Sequence, residues 1–137
     1  MSLLRVLDIA ATALQAQSLR LNTTASNLAN ADSAASSAGG TYRARHPVFA
    51  PIYDGVAGDP VAAGVRSLGI VESGAPLKVV HRPEHPLADA DGNVFFPNVN
   101  IVEEMANMIS ASRSYETSVE VANTSKQLLL RTLSMGQ

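Results

Sequence analysis

The sequence predicts a mainly α protein with a small β-rich middle, in which long N- and C-terminal helices pair as a coiled coil with an extended β and loop unit between them. All seven prolines and eight of the nine glycines fall between residues 39 and 97, so residues 1–38 and 98–135 contain neither helix breaker. Both ends also carry aliphatic residues at alternating steps of three and four, the spacing of a coiled-coil seam. We therefore expect residues 1–31 and 98–137 to form a coiled-coil domain, 32–41 a flexible linker and 42–97 a small β-rich middle domain.

The N-terminal helix is predicted from a leucine that recurs every seven residues, with a small residue four positions after each of the first three leucines. Ser2 is a suitable N-cap, and Asn30 is a suitable exit residue because asparagine tolerates the left-handed conformation that closes many helices. Small residues along the seam allow close approach of a second helix. The predicted seam consists of Leu7, Ala11, Leu14, Ser18, Leu21, Ala25 and Leu28.

The middle of the chain is predicted to form short strands. After the Ser, Ala and Gly tract at 32–40, β-like runs are expected at Tyr42–Phe49, Val61–Glu72, Leu77–His81 and Val94–Phe96. Pro47 and Pro51 favour an edge or a bulge for the first run, because proline cannot donate to a sheet. The dipeptide Asp91-Gly92 predicts a two-residue hairpin turn, since both residues readily adopt positive φ.

The C-terminal helix is predicted to start near Asn98 or Asn100. Asn100 has Glu103 three residues later, the spacing of a capping box, and Glu104 adds negative charge where the helix dipole favours it. Lys126 interrupts an otherwise apolar or small seam. This seam consists of Ile101, Met105, Met108, Ser112, Tyr115, Val119, Ala122, Lys126, Leu129 and Leu133.

Composition limits the functional classes. The net charge is −2 and no basic cluster is present, so no nucleic-acid partner is expected. The chain has no cysteine, which excludes disulfides and thiolate metal sites. Asp8 interrupts the apolar N-terminus, so a cleaved signal peptide is not expected, and no apolar run approaches the roughly 20 residues of a membrane span.

No catalytic, cofactor-binding or metal-binding residues are predicted. His81 and His85 flank Glu84, but the prolines in that segment exclude the helix that would place both imidazoles on one face. The segment 89–100 has its glycine too early for a calcium loop and ends on Asn100 instead of a bidentate glutamate. No nucleophile motif or phosphate-binding loop is present, so we expect no enzymatic activity.

Several motifs resemble those of bacterial flagellar axial proteins, the rod and hook family. Ser26-Asn-Leu-Ala-Asn30 after a leucine-spaced helix resembles the family's N-terminal signature. Pro97-Asn-Val-Asn100, the segment 104–116 and the ending Arg131-Thr-Leu-Ser-Met-Gly136 resemble its proximal-rod members, as do Tyr42–Phe49 and Pro86–Gly92. Many axial proteins have Thr-Pro-Gly-Tyr where this chain has Asp32-Ser33 and the linker. The signature residues are Asn27, Leu28, Ala29, Asn30, Glu104, Met105, Ser112, Arg113 and Tyr115.

The resemblance implies a structural subunit of the flagellar basal-body rod, the periplasm-spanning drive shaft that transmits motor torque for motility. It implies export by the flagellar type III apparatus without a cleaved signal peptide. The implied partners are copies of the chain itself, other flagellar rod proteins, the rod-to-ring adaptor and the inner-membrane (MS) ring. No cofactor is implied.

The expected mechanism is helical assembly of antiparallel α-helix pairs through apolar residues outside the two seams. These outer residues are Val6, Ile9, Val102, Ile109, Val121, Leu128 and Leu130. The alternative is a cytoplasmic coiled-coil adaptor or export-associated binding protein, and a small hydrolase using His81 and His85 is a third possibility. Asn27 and Asn30 are expected either to end the first helix or to contact a neighbouring subunit.

Overall fold

The computed structural model describes residues 3–54 and 61–135, which form two long terminal helices and a small β middle. The helices are α1 (Leu3–Ala29) and α2 (Ile101–Met135). The strands are β1 (Arg45–Asp54), β2 (Val61–Glu72), β3 (Lys78–His81) and β4 (Asn93–Phe96), paired as two antiparallel two-stranded sheets. The predicted division into two long helices and a β-rich middle is confirmed. The predicted cap Ser2 lies outside the described residues.

The two helices pack against each other and run antiparallel. Arg20 Nη2 donates to Asn107 Oδ1 at 3.2 Å, and Asn27 Nδ2 donates to Glu104 Oε2 at 3.0 Å, so residue numbers rise along α1 as they fall along α2. The buried side chains of both helices are small or polar, which allows close approach of the two backbones. They are Ala10, Ala16, Thr23, Thr24, Asn27, Glu104, Ala111 and Ser125.

A seven-residue repeat is present in the burial pattern, but its phase differs from the predicted seams. Several predicted seam residues lie on the exposed side of the pair: Ala11, Ser18, Ala25, Ile101, Met105, Tyr115 and Leu133. Lys126 is also exposed. The others are half-buried: Leu7, Leu14, Leu21, Leu28, Met108, Ser112, Val119, Ala122 and Leu129. The leucine repeat set the predicted phase, whereas the tight helix pair buries small residues such as Ala10 and Ala111, each one position before a predicted seam residue, and leaves the leucines half-buried at its margins.

The β1–β2 hairpin rests on α1. Its register is interrupted between Val48 and Phe49 and between Ile52 and Tyr53, one residue after each strand proline, which confirms the predicted irregularity. Val65 N donates to Thr12 Oγ1 at 3.2 Å. At the preceding Gly64, with φ of 155°, an added Cβ would lie 2.7 Å from that oxygen.

The β3–β4 sheet is closed by an eleven-residue loop, residues 82–92, so the predicted two-residue turn at Asp91-Gly92 is wrong. Gly92 does adopt a positive φ of 75°, but it ends the loop. Asp89 Oδ1 accepts hydrogen bonds from the backbone N–H groups of Asp91 and Asn93 at 3.0 and 2.8 Å, and these bonds fix the longer loop.

The segment 32–41, predicted to be a flexible linker, is held to the β3–β4 sheet. Ala35 N donates to Phe95 O at 2.9 Å, and Phe95 N donates to Ala35 O at 3.0 Å. Thr41 is buried, and its hydroxyl donates to Ser37 O at 2.8 Å. Backbone pairing does not depend on side-chain bulk, which is why the low-bulk composition did not indicate this attachment.

Two asparagines end or begin the helices in different ways. Asn100 caps α2 as predicted, since its Oδ1 accepts from the backbone N–H groups of Val102 at 3.1 Å and Glu103 at 3.4 Å. Asn30 follows α1, but no described non-glycine residue has positive φ, so the expected left-handed exit is wrong. Instead, the Asn30 backbone N–H and its side-chain Nδ2 both donate to Ser26 O, at 3.2 and 2.8 Å, and close the last turn of the helix.

Candidate assembly interface

A buried asparagine joins both helices to the β middle. Asn27 is 1% exposed, and its Oδ1 accepts from Tyr42 Oη and from Arg45 N, each at 2.9 Å. Its Nδ2 donates to Arg45 O at 2.8 Å and to Glu104 Oε2 at 3.0 Å. Both amide N–H groups and both acceptor positions are therefore used. One side chain thus fixes α1, the start of β1 and the first turn of α2 relative to one another.

The Glu104 carboxylate at this junction is unusually buried for a charged group. Glu104 is 4% exposed and forms no ion pair with any described residue. A buried charged or polar group is tolerated when hydrogen bonds compensate its desolvation, and Asn27 supplies one such bond. The Asn27–Glu104 bond therefore links the two helices through two buried side chains.

Tyr42 and Arg45 extend the junction towards the hairpin. Tyr42 Oη lies 3.2 Å from Ser26 Oγ, and the Arg45 guanidinium lies 5.2 Å from the Tyr42 ring centroid. Arg45 also forms an exposed ion pair with Glu72 at 3.2 Å. These contacts connect the end of α1 with the open end of the β1–β2 hairpin, where Arg45 and Glu72 face each other.

A second asparagine, Asn98, binds the backbone just before β1 and just after β2. Asn98 Oδ1 accepts from Ala44 N at 2.8 Å, and its Nδ2 donates to Ser73 O at 3.4 Å and Ala75 O at 2.9 Å. Arg43 Nη1 donates to the same two carbonyls. Because these contacts occupy the residues before it, β1 begins at Arg45, three residues later than predicted. Asn98 is therefore a connector, and not the cap of α2.

The predicted signature residues divide into internal contacts and an outer surface. Asn27 and Glu104 are buried inside the subunit, so the expectation that Asn27 could contact a neighbouring subunit is wrong. Asn30 closes α1. Leu28 and Ser112 are half-buried, while the exposed members are Ala29, Met105, Arg113 and Tyr115. Nothing in the sequence pattern indicated that Asn27 would bond α2, because that partner lies 77 residues away.

Large apolar side chains line the outside of the helix pair. Val102 is 76% exposed, Ile109 58% and Met135 81%. Of the outer residues predicted from sequence, Val6 and Ile9 are half-buried, and the exposed ones are Val102, Ile109, Val121, Leu128 and Leu130. Within the described ranges, neither helix has a sufficiently long apolar stretch to cross a bilayer. An exposed apolar surface of this extent is typical of a protein interface.

The two histidines considered for chemistry have ordinary loop roles. His81 Nδ1 lies 3.4 Å from Asn93 Oδ1, and His85 Nδ1 accepts from Leu87 N at 3.1 Å. Among residues 3–54 and 61–135, no three histidine or carboxylate side chains converge on a point that could hold a metal ion.

Comparison with known proteins matches both ends of the chain to models of one kind of protein. The family model "Flagella basal body rod protein" matches residues 7–34, and "Flagellar basal body rod FlgEFG protein C-terminal" matches residues 90–135. Flagellar basal-body rod protein FlgC of Salmonella typhimurium is 51% identical over 137 residues and covers 100% of both chains. The FlgC of Escherichia coli O6:H1 is 52% identical over 139 residues, again across 100% of both chains. The FlgC of Borreliella burgdorferi is 36% identical over 151 residues, with 100% of this chain and 99% of the relative covered. The chain therefore belongs to the family of flagellar basal-body rod protein FlgC.

Proposed function

We propose that this structural subunit of the flagellar basal-body rod assembles by packing α1–α2 pairs side by side into a helical tube. Neighbouring copies and other rod proteins cover the outer apolar residues, and the packed helices transmit torque by contact, without a chemical step. Assembly of this kind requires heterologous contacts, because a self-complementary contact closes into a dimer.

The observation that carries this proposal is the distribution of side-chain size. Small residues occupy the centre of the helix pair, while the large apolar side chains of α2 lie outside it. The register set by the Arg20–Asn107 and Asn27–Glu104 bonds places Leu3 opposite residues 124–128. The last turns of α2 therefore extend past Leu3, the first described residue of α1, and their side chains Leu130, Leu133 and Met135 are exposed. In a tube, a neighbouring helix would cover them.

A pair of substitutions in α2 tests the proposal. Ile109→Asp places a charge on the outer apolar surface, and Ser110→Asp places the same charge on the adjacent exposed residue. We expect Ile109→Asp to abolish rods and swimming, because the charge would be buried between neighbouring copies. The purified chain should keep its circular dichroism spectrum, because Ile109 is exposed to solvent in the single chain. Ser110→Asp should retain most activity. Normal rods with Ile109→Asp would overturn the proposed packing.

We place the subunit in the periplasmic part of the basal body, exported by the flagellar type III apparatus without a cleaved signal. The rod-to-ring adaptor and the inner-membrane (MS) ring are its further partners, and no nucleic acid, cofactor or enzymatic activity is involved. Cell fractionation distinguishes this from a cytoplasmic adaptor, since a rod subunit co-sediments with basal bodies. Loss of function on replacing both His81 and His85 by alanine would favour the hydrolase alternative.

A further inference from the structure

A cleft lies between the β3–β4 sheet and the start of α2. It encloses about 600 Å³. Lys78, Val80 and Arg82 alternate along β3 and its continuation, so their side chains lie on one face and line the cleft. The opposite wall includes Ile101 and Val102. The cleft therefore combines an apolar wall with two exposed cations.

The charges of the cleft are not balanced within the subunit. Neither Lys78 nor Arg82 forms an ion pair with any described residue. Asp32 also lines the cleft, so these three charged residues together contribute one net positive charge. A partner with apolar side chains next to carboxylates would complement this surface.

The middle of α2 presents such a surface. Tyr115 and Val119 lie one helical turn apart, and Glu116 and Glu120 form the adjacent column. Both glutamates are exposed, and neither forms an ion pair with any described residue. We call Tyr115, Glu116, Val119 and Glu120 the acidic ridge. It lies far along α2 from the cleft, so the two surfaces of one chain cannot meet.

We propose that the cleft of one copy binds the acidic ridge of a second copy. Lys78 and Arg82 pair with Glu116 and Glu120, while Val102 and Ile101 pack against Tyr115 and Val119. The contact joins two different surfaces, so it repeats from copy to copy without closing. The proposal rests on the side-by-side packing proposed above and names one of its contacts.

The contact also fixes an offset between neighbouring copies. The cleft lies at residues 101–102 of α2, and the centre of the acidic ridge is near residue 118. At 1.5 Å per residue, copies with parallel α2 helices would be displaced by about 25 Å along the helix axis. A density map of an assembled rod with a clearly different displacement between adjacent copies would contradict the proposal.

Cysteine cross-linking gives a direct test, because the chain has no native cysteine. Val102→Cys lies at the cleft, and Asn123→Cys lies beside the acidic ridge without removing either glutamate. The two sites are about 31 Å apart on one helix, too far for a bond within one chain. Basal bodies treated with a short thiol-reactive cross-linker should yield a ladder of multimers from the double variant and none from either single variant.

Each cross-linking outcome decides the proposal. A dimer from Val102→Cys alone would indicate a self-complementary contact and overturn it. Rods without a ladder, or cross-links only to a different rod protein, would also overturn it while leaving the rod function intact. Failure of the unsubstituted chain to form rods would instead refute the proposed function.

If the cysteine variants do not assemble, reversing the charges of the cleft and of the acidic ridge tests the same contact. Lys78→Glu with Arg82→Glu should lower rod yield about tenfold, since two exposed ion pairs become repulsive. Adding Glu116→Lys and Glu120→Lys to the same chain should restore the yield. Arg66→Glu, which reverses an exposed cation of β2 outside the cleft, should have little effect. A fourfold variant no better than the double variant would overturn the proposal.

Discussion

Replacement of Asn27 by alanine is expected to separate the β middle from the helix pair. The substitution removes four hydrogen bonds, two accepted by Oδ1 and two donated by Nδ2. It leaves the Glu104 carboxylate, 4% exposed, without its asparagine donor, and it leaves the backbone N–H and C=O of Arg45 without their asparagine partners. At about 1 kcal/mol for each bond, the free energy of unfolding should fall by about 4 kcal/mol.

Urea unfolding of the purified chain, followed by far-UV circular dichroism, measures this loss. Asn30→Ala is the matched control, because Asn30 lies one turn away and its side chain bonds only Ser26 O among described residues. We expect the control to lose about 1 kcal/mol. Equal losses for the two variants would refute the assignment of Asn27 as the central connector. Asn27→Asp should also destabilise the fold, since it places a second carboxylate against Glu104, and Glu104→Gln in the same chain should recover part of that loss.

Three further substitutions test the packing. Gly64→Ala should lower the free energy of unfolding by about 1–3 kcal/mol in urea, because a Cβ there would lie 2.7 Å from Thr12 Oγ1, while Gly69→Ala, which meets no atom within 4 Å, should cost less. Leu129→Asp should block rod formation by burying an unpaired charge at a half-buried seam position, and normal swimming of this variant would defeat that assignment. Ala11→Asp, on the exposed side of α1, should leave the urea midpoint within the error of the parent while reducing the yield of basal bodies, and a lowered midpoint would place Ala11 inside the pair.

The helical ends could be predicted from the sequence because their signals are local. The absence of proline and glycine defined both helices, and the Asn100 cap was evident because an N-cap bonds residues only two or three positions ahead. The strand prolines likewise predicted the irregular register of β1. Each of these features depends on a few neighbouring residues.

The internal connections could not be predicted, because they join residues distant in sequence. The bond between Asn27 and Glu104 and that between Asn98 and Ala44 depend on the completed fold. The phase of the helix pair was missed for a different reason. Hydropathy marks leucine strongly and serine or threonine weakly, whereas the centre of a tight pair selects small volume, as Ser125 shows.

The buried side chains are mostly small, and this affects the heat capacity of unfolding. In the described part of the chain, the largest fully buried side chains are Val94 and Asn27. The heat capacity of unfolding comes mainly from hydration of newly exposed hydrocarbon. A lone subunit should therefore melt with a small heat-capacity increment, and the increment should grow when the subunit melts out of an assembly that covers its leucines and methionines.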